Sequence, residues 1–502
     1  MKAVHSKKRT VCIQKDRGRS TAFRALSRVL VVWMIAFTIV VQQAPAGATP
    51  KAPPPVRMRL HGYVTGRIDE KTILILDDQV HIGARTHISG QDADGRERDL
   101  LPSELVPGAL IEADGVWTDH HQFAAETIHA DLREANKKTH GAAYLQEDPP
   151  DIKRVVGNES AGLNVDGEYL LLEASSQREW PSTLKAVQAN AGGANPLSGA
   201  NPASIAGLEV HYSGLRRKDG GIVAERVSIG PPAPPDAFKL PHGMEVVRAQ
   251  DPQTGIDILE FRRGKKVDGR LKLFPVAEVQ TYVRELGKSL LPAEAYTKAW
   301  PVEFRFFVVE DSSINAESLP DGTILVNTGL LGAVENEAEF AFVLSHEISH
   351  VLQAHYWREV HETRPQRISL LIAGLAADIG AAAAGVYIGD LGQFLSGLGM
   401  VAIVNGHQRE LENQADRLGL QNIIAHGYDP REAPKFSRMI IERYGNRTTS
   451  KLWSSHDSSV LRGSFMTIQL MRQYPEGHFD GAQRDSEAFR AMREAMGLVK
   501  IE

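Results

Sequence analysis

Five consecutive residues, His346-Glu347-Ile348-Ser349-His350, carry the types and spacing from which chemistry is most readily built. On a helix the two histidines lie one turn apart and point the same way. Two imidazoles so placed can grip one zinc ion from one side. Glu347 then sits next to the first ligand, where a carboxylate can take a proton from a metal-bound water and pass it to a leaving amine. The motif alone is short, and a third ligand is what discriminates a metal site from a chance match.

The surrounding elements supply the positions. Phe340, Val343, Leu344, Ile348, Val351 and Leu352 recur at helical spacing, which predicts a helix over Ala338–Arg358. A second helix is predicted over about Gly406–His426. It carries Glu412 and Asp416 one turn apart, so one can bind metal while the other steadies a ligand imidazole. Two histidines and one glutamate leave a fourth position open, as a hydrolytic zinc requires. The metzincin extension of the motif needs a glycine and a third histidine, and Gln353 and Tyr356 stand in those places. The distant Glu-x-x-x-Asp is the gluzincin arrangement instead.

At this point the chain resembles the HtpX/BepA-type zinc metalloproteases, which include the CAAX prenyl proteases. Four blocks carry the resemblance, in the family's order, within about Met244–Met471. They are Ile314-Asn315-Ala316 with Pro320 to Leu331; His346 to Val351 with His355; Glu412 to Asp416; and Ser455-His456 with Arg462, where Asp457 replaces the usual proline. The resemblance implies that His346, His350 and Glu412 hold one Zn²⁺. Glu347 is then general base and acid, and Asp416 orients a ligand. It implies one of two roles for His456, filling the fourth metal position to keep the enzyme latent or supporting the oxyanion, with Arg462 positioning substrate. It also implies that the strand Thr323–Thr328 presents an edge to the cleft, where an extended substrate could add.

Composition bounds the rest. The 502 residues suggest two to four domains, and 42 % hydrophobic residues can build their cores. Residues 1–48 hold nine Lys/Arg and one acidic residue; the remaining 48 basic and 61 acidic residues give a net charge of −13. So acidic a chain is a poor nucleic-acid binder. The basic start, the apolar run Val29–Val41 and Ala46-Gly47-Ala48 form a secretory signal pattern, with cleavage expected after Ala48 and export to a periplasm. The single cysteine, Cys12, lies inside it, which excludes thiolate ligands, disulfides and a cysteine nucleophile from the rest.

The expected fold is multidomain, with two small all-β, OB-like barrels followed by a mainly α (α+β) zincin domain. Residues 56–135 and 154–230 read as two copies of one unit, since Gly108, Gly115, Ala125 and Glu126 recur as Gly207, Gly214, Ala224 and Glu225. A proline-rich linker, 231–243, leads into the catalytic region, 244–502. Neither basic stripes nor aromatic platforms mark the barrels, so a spacer or a contact with an envelope protein is expected of them. The Ala/Gly-rich stretch 368–404 reads as a membrane hairpin or, since Asp378 and Asp390 interrupt it, as a pair of helices packed over the site or lying peripherally on a membrane. The reading is an exported zinc endopeptidase acting on unfolded, misassembled or membrane-associated envelope proteins. The alternative is a zinc-bound chaperone or assembly factor with little peptidase activity.

Overall fold

The computed structural model describes residues 57–133, 138–144, 162–173, 175–179, 208–217, 221–292, 302–363, 395, 409–444, 459–474 and 477–498. The signal pattern, His456 and all of 368–404 but Leu395 lie outside these residues.

The strand-rich part begins with β1 (Met58–Tyr63), β2 (Gly66–Asp69), β3 (Thr72–Ile75), β4 (Asp78–Gln91), β5 (Glu97–Asp99), β6 (Leu110–Asp119) and β7 (Gln122–Asp131). They form one sheet in the order β1-β6-β7-β4-β3-β2, with β5 paired to β4. Alternating apolar residues on these strands, among them Leu60, Ile73, Ile75, Val80, Ile111, Phe123 and Ile128, share one core. The second sheet is built from β8 (Lys138–Tyr144), β9 (Gly162–Val165), β10 (Glu168–Leu171), β11 (Gln177–Glu179), β12 (Leu208–Arg216) and β13 (Ile222–Pro232). Its order is β8-β12-β13-β10-β9, the same path as β1-β6-β7-β4-β3. The long β4, parallel to β7, is matched by two shorter strands, β10 and β11, both parallel to β13.

The recurring glycines have a physical cause. Gly115 faces Ala125 at an irregularity between β6 and β7, and Gly214 faces Ala224 at the same irregularity between β12 and β13. A Cβ at Gly115 would lie 2.1 Å from the Ala124 carbonyl oxygen, and one at Gly214 would lie 2.3 Å from that of Val223. Only glycine allows the strands to approach so closely there.

Two three-stranded sheets follow. The first is a meander of β14 (Glu245–Gln250), β15 (Asp257–Arg263) and β16 (Lys266–Lys272). The second holds β17 (Arg305–Val309), β18 (Ala316–Ser318) and β19 (Thr323–Asn327) in the order β17-β19-β18. The strand Thr323–Thr328 is therefore not the edge: β19 is paired on both sides, and all five of its residues are buried. Its unbroken Thr-Ile-Leu-Val run is the pattern of a central strand. The edge is β18.

The helices are α1 (Ala277–Ser289), α2 (Thr328–Ala333), α3 (Glu337–Leu352), α4 (His355–Arg358), α5 (Arg409–Ala425), α6 (Glu432–Tyr444), α7 (Ser459–Gln473) and α8 (Glu487–Ala495). Every residue of α3 is buried, its seven polar and charged residues included, and its apolar residues lie in the main core. The helix predicted to run on to Arg358 stops at Leu352. Ala354 adopts φ +48°, a left-handed conformation that breaks the hydrogen-bond ladder and starts α4 in a new direction.

The N-terminus of α3 is closed from several sides. The Asn336 side chain accepts from Glu339 N at 3.0 Å, and the Glu339 carboxylate accepts from Glu335 N at 2.7 Å. Asp485 accepts from Glu337 N at 3.1 Å, and the Arg484 carbonyl accepts from Ala338 N at 3.0 Å. Burial raises the Glu339 carboxyl from an ordinary 4.5 to about 7. The folded protein therefore holds a proton there that the unfolded chain has released, and stability present below pH 4.5 is lost as pH rises towards 7. In urea titrations at pH 5 and pH 8, Glu339→Gln is expected to show a smaller loss of stability than wild type, the difference being up to roughly 3 kcal/mol.

Candidate metal centre

Helix α5 lies against α3 through small residues. Ala415 is buried, and a Cβ at Gly419 would lie 3.3 Å from His346 N. This close approach lets the first turns of α5 aim two carboxylates at the histidines of α3. His346, His350 and Glu412 each offer a ligand atom, all within 4.8 Å of one another. His346 Nε2 lies 2.9 Å from His350 Nε2 and 3.5 Å from Glu412 Oε2; His350 Nε2 lies 3.7 Å from Glu412 Oε1. Ligands at tetrahedral zinc stand about 3.3 Å apart when the bonds are about 2.0 Å. Two imidazole nitrogens facing each other at 2.9 Å share at most one hydrogen bond, whereas a cation satisfies both lone pairs together with the carboxylate. Nitrogen and oxygen donors of this kind fit zinc.

The other predicted residues divide between those the structure brings in and one it does not describe. Asp416 Oδ1 is 3.0 Å from His346 Nδ1, so with Nε2 turned to the metal position, Nδ1–H donates to Asp416. Arg462 reaches this site from α7. It is 1 % exposed, and its guanidinium donates to both Asp416 oxygens, through Nε at 3.1 Å and through a terminal nitrogen. Glu347 is buried beside His346, and the Ser318 hydroxyl donates to its Oε2 at 2.8 Å. His456 falls outside the described residues.

Electrostatics fit these contacts. Burial would raise the Asp416 carboxyl, but Arg462 and His346 bring it below the ordinary carboxylate value. Burial and Arg462 oppose a charge on His346, yet Asp416 and Glu412 hold its pKa above the ordinary histidine value. The site is thus a pocket of negative potential that favours a cation.

Two further residues contribute: Ser318, and His355, which the second block includes without a role. Ser318 lies between the two parts of the first block, Ile314–Ala316 and Pro320–Leu331, and only the folded edge strand brings its hydroxyl to Glu347. His355 lies behind the break at Ala354, its Nδ1 2.8 Å from His350 Nδ1 and its Nε2 2.7 Å from Gln414 Oε1. A continuous helix would carry His355 on away from His350, so helical periodicity gave no signal for this contact.

The region that holds these residues is similar to known proteins. Residues 277–467 match the profile of peptidase family M48. The similarity to that family is confined to these residues, less than half of the chain. Relatives include the "Beta-barrel assembly-enhancing protease" of Yersinia pestis, 32 % identical over 169 residues, which are 32 % of this chain and 32 % of the relative. The protein of the same name from Escherichia coli (strain K12) is 30 % identical over 172 residues, covering 33 % and 34 % of the two chains. "Metalloendopeptidase OMA1, mitochondrial" of Danio rerio is 31 % identical over 188 residues, 37 % of each chain. The match thus spans about a third of each of these relatives, and the two sheets of residues 58–232 lie outside the family match.

The burial of Arg462 separates a charge-balancing role from direct substrate contact. Arg462→Met leaves two buried carboxylates without their cation and is expected to cost about 3–5 kcal/mol of stability. Chemical denaturation with the metal chelated checks this. A substrate-contact role predicts instead a changed KM at unchanged stability.

Proposed function

We propose that the chain is a zinc-dependent endopeptidase of the bacterial envelope, in which His346, His350 and Glu412 hold one zinc ion and Glu347 is the general base. The observation that carries this reading is the convergence of the three ligand atoms within 4.8 Å on two packed helices, with a buried glutamate next to the first ligand. Bound zinc supplies an acidified water and a polarised scissile carbonyl. Glu347 takes the proton of the attacking water and delivers it to the departing amine. Ser318 keeps one Glu347 oxygen fixed through its hydroxyl. Asp416 holds His346 in the tautomer that ligates, and Arg462 balances the charge of the two carboxylates behind it.

Edge strand β18 is the docking site in this reading. Ser318, Leu319 and Pro320 line a small recess together with His350, Ala354 and Tyr356, which puts the edge beside the ligands. Leu319 N donates to Thr323 O, and Asn327 N donates to Asn315 O. In this antiparallel register Glu317 turns its backbone groups towards β19, whereas Ala316 and Ser318 turn theirs outward. An extended substrate adding there is held by main-chain groups, with little sequence preference. That suits unfolded or misassembled envelope proteins, and the name of the Yersinia pestis and Escherichia coli relatives, a β-barrel assembly-enhancing protease, supports this substrate class.

Export rests on the basic-apolar-small pattern of residues 1–48. No helix among the described residues is long and apolar enough to cross a membrane. The two sheets are taken as OB-like modules, expected over residues 56–135 and 154–230; the second sheet also takes in β8 at Lys138–Tyr144 and runs on to Pro232. A linker within 231–243 leads to a peptidase domain of 244–502, and the sheets offer surfaces for an envelope partner.

Purified wild type is expected to carry about one zinc per chain and to lose casein hydrolysis on chelation. Glu347→Gln should keep the metal and lose on the order of a hundredfold or more in rate. Normal cleavage by that variant would remove Glu347 from the mechanism. For the edge, Ser318→Pro removes one outward N–H without breaking the β18–β19 ladder, and Ser318→Ala removes only the hydroxyl. KM for an extended peptide should rise several-fold more in Ser318→Pro than in Ser318→Ala; equal values would count against strand addition.

A further inference from the structure

We propose that Asp166, at a hairpin turn of the second sheet, is a positioning residue for the metal ligand His350, acting through Gln414 and His355. The inference rests on the zinc-centre reading above and concerns a residue outside the family match.

The turn itself fixes Asp166. Val165-Asp166-Gly167-Glu168 joins β9 to β10 through two residues, with Val165 paired to Glu168. Asp166 has φ +62° and Gly167 φ +67°, the left-handed pair of a tight hairpin turn, for which Asp-Gly is a favoured sequence. The tip is buried against α5 and α7 rather than exposed to solvent. Asp166 is 5 % exposed, and a Cβ at Gly167 would lie 2.9 Å from Arg417 Cβ. Arg417 donates to the Asp166 carbonyl at 2.9 Å and also to its carboxylate. Tyr212 donates to the carboxylate at 3.1 Å, and Gln473 donates to the Gly167 carbonyl at 2.8 Å.

From this anchored carboxylate a chain of hydrogen bonds runs to the metal ligand, and donor chemistry fixes its direction. Gln414 Nε2 donates to Asp166 Oδ1 at 2.6 Å. Its Oε1 accepts from Arg358, a pure donor, at 2.8 Å, so the amide has one orientation. The same Oε1 is 2.7 Å from His355 Nε2, which must therefore carry a hydrogen. A neutral His355 then has a lone pair on Nδ1. That atom lies 2.8 Å from His350 Nδ1, and accepts its hydrogen. His350 is left with its lone pair on Nε2, the nitrogen that faces His346 Nε2 and Glu412. Reversing the Gln414 amide would reverse each proton along the chain and turn a hydrogen, rather than a lone pair, towards the metal. His346 is steadied by Asp416 within the helical region; His350 is steadied through the second sheet.

The test measures zinc affinity of the full-length protein by chelator competition, and the visible absorption of its cobalt(II) form. Asp166→Ala and Gln414→Met should each weaken zinc binding tenfold or more and change the cobalt bands. Asp166→Asn keeps an acceptor for Gln414 and loses only the charge facing Arg417, so its zinc affinity should stay within about twofold of wild type. Gln473→Ala loosens the same turn away from the chain and should leave both readouts unchanged. A folded Asp166→Ala protein with wild-type affinity and cobalt spectrum would overturn the proposal. Equal losses in Asp166→Ala and Asp166→Asn would do so too, by assigning the effect to the Arg417 ion pair. If Asp166→Ala does not fold, Gln414→Met decides by the same criterion. A wild-type protein that binds no zinc would instead sink the metal-centre reading itself.

Discussion

Charge without water is the constraint on which the structure depends. Glu412 and Asp416 have no exposed surface, and His346, Glu347 and Arg462 have almost none. Isolated ions so buried would each cost several kcal/mol, so none of them stands apart from an opposite charge or a hydrogen-bond donor. Most of the architecture follows from that need. Helix α3 is enclosed on all sides, α5 needs Ala415 and Gly419 to come close enough, and α7 must deliver Arg462 to the inner side of Asp416. The edge strand β18 adds a hydroxyl at Glu347. Four separate stretches of chain converge on a volume a few ångströms across.

The same constraint makes the sheets more than appendages. Helix α7 carries Arg462 on one side and packs Leu461, Phe465 and Ile468 against Tyr63 and Leu110 of the first sheet. Ser464 Oγ accepts from Tyr63 N at 2.9 Å. The residue that balances the buried carboxylates is thus held by a helix wedged between the metal centre and a β-sheet. The strand-rich and helical parts share elements, and their stabilities are coupled through α7.

Much of the centre was legible in the sequence because helical spacing translates directly into side-chain direction. His346 with His350, and Glu412 with Asp416, needed only the assumption of two helices, and the folded chain brings all four together. The repeat of Gly115 and Gly214 was legible too, as both mark the same strand irregularity. Other features were hidden for physical reasons. Ala354 ends α3 with a residue that has no preference for a left-handed conformation, so nothing local announced the break or the return of His355. The edge assignment went to Thr323–Thr328 because strand order depends on pairing between distant segments, which periodicity does not encode. The Asp166-Gly167 turn carried its usual hairpin signature, but nothing local said that its tip would be buried against α5.

The closure of the α3 N-terminus has a consequence for the history of each molecule. The helix bearing His346 and His350 is completed by backbone hydrogen bonds to Arg484 and Asp485, well over a hundred residues further along the chain. Glu412, Asp416 and Arg462 also come later than the histidines. Synthesis proceeds from the N-terminus, so a ribosome-bound chain carries the two histidines long before it carries the groups that neutralise and cap them. Contacts of such high sequence separation form late and together. A growing chain therefore holds the two histidines without the carboxylates and capping groups that complete their surroundings, and the order of residues along the polypeptide acts as a timer on the assembly of this cluster.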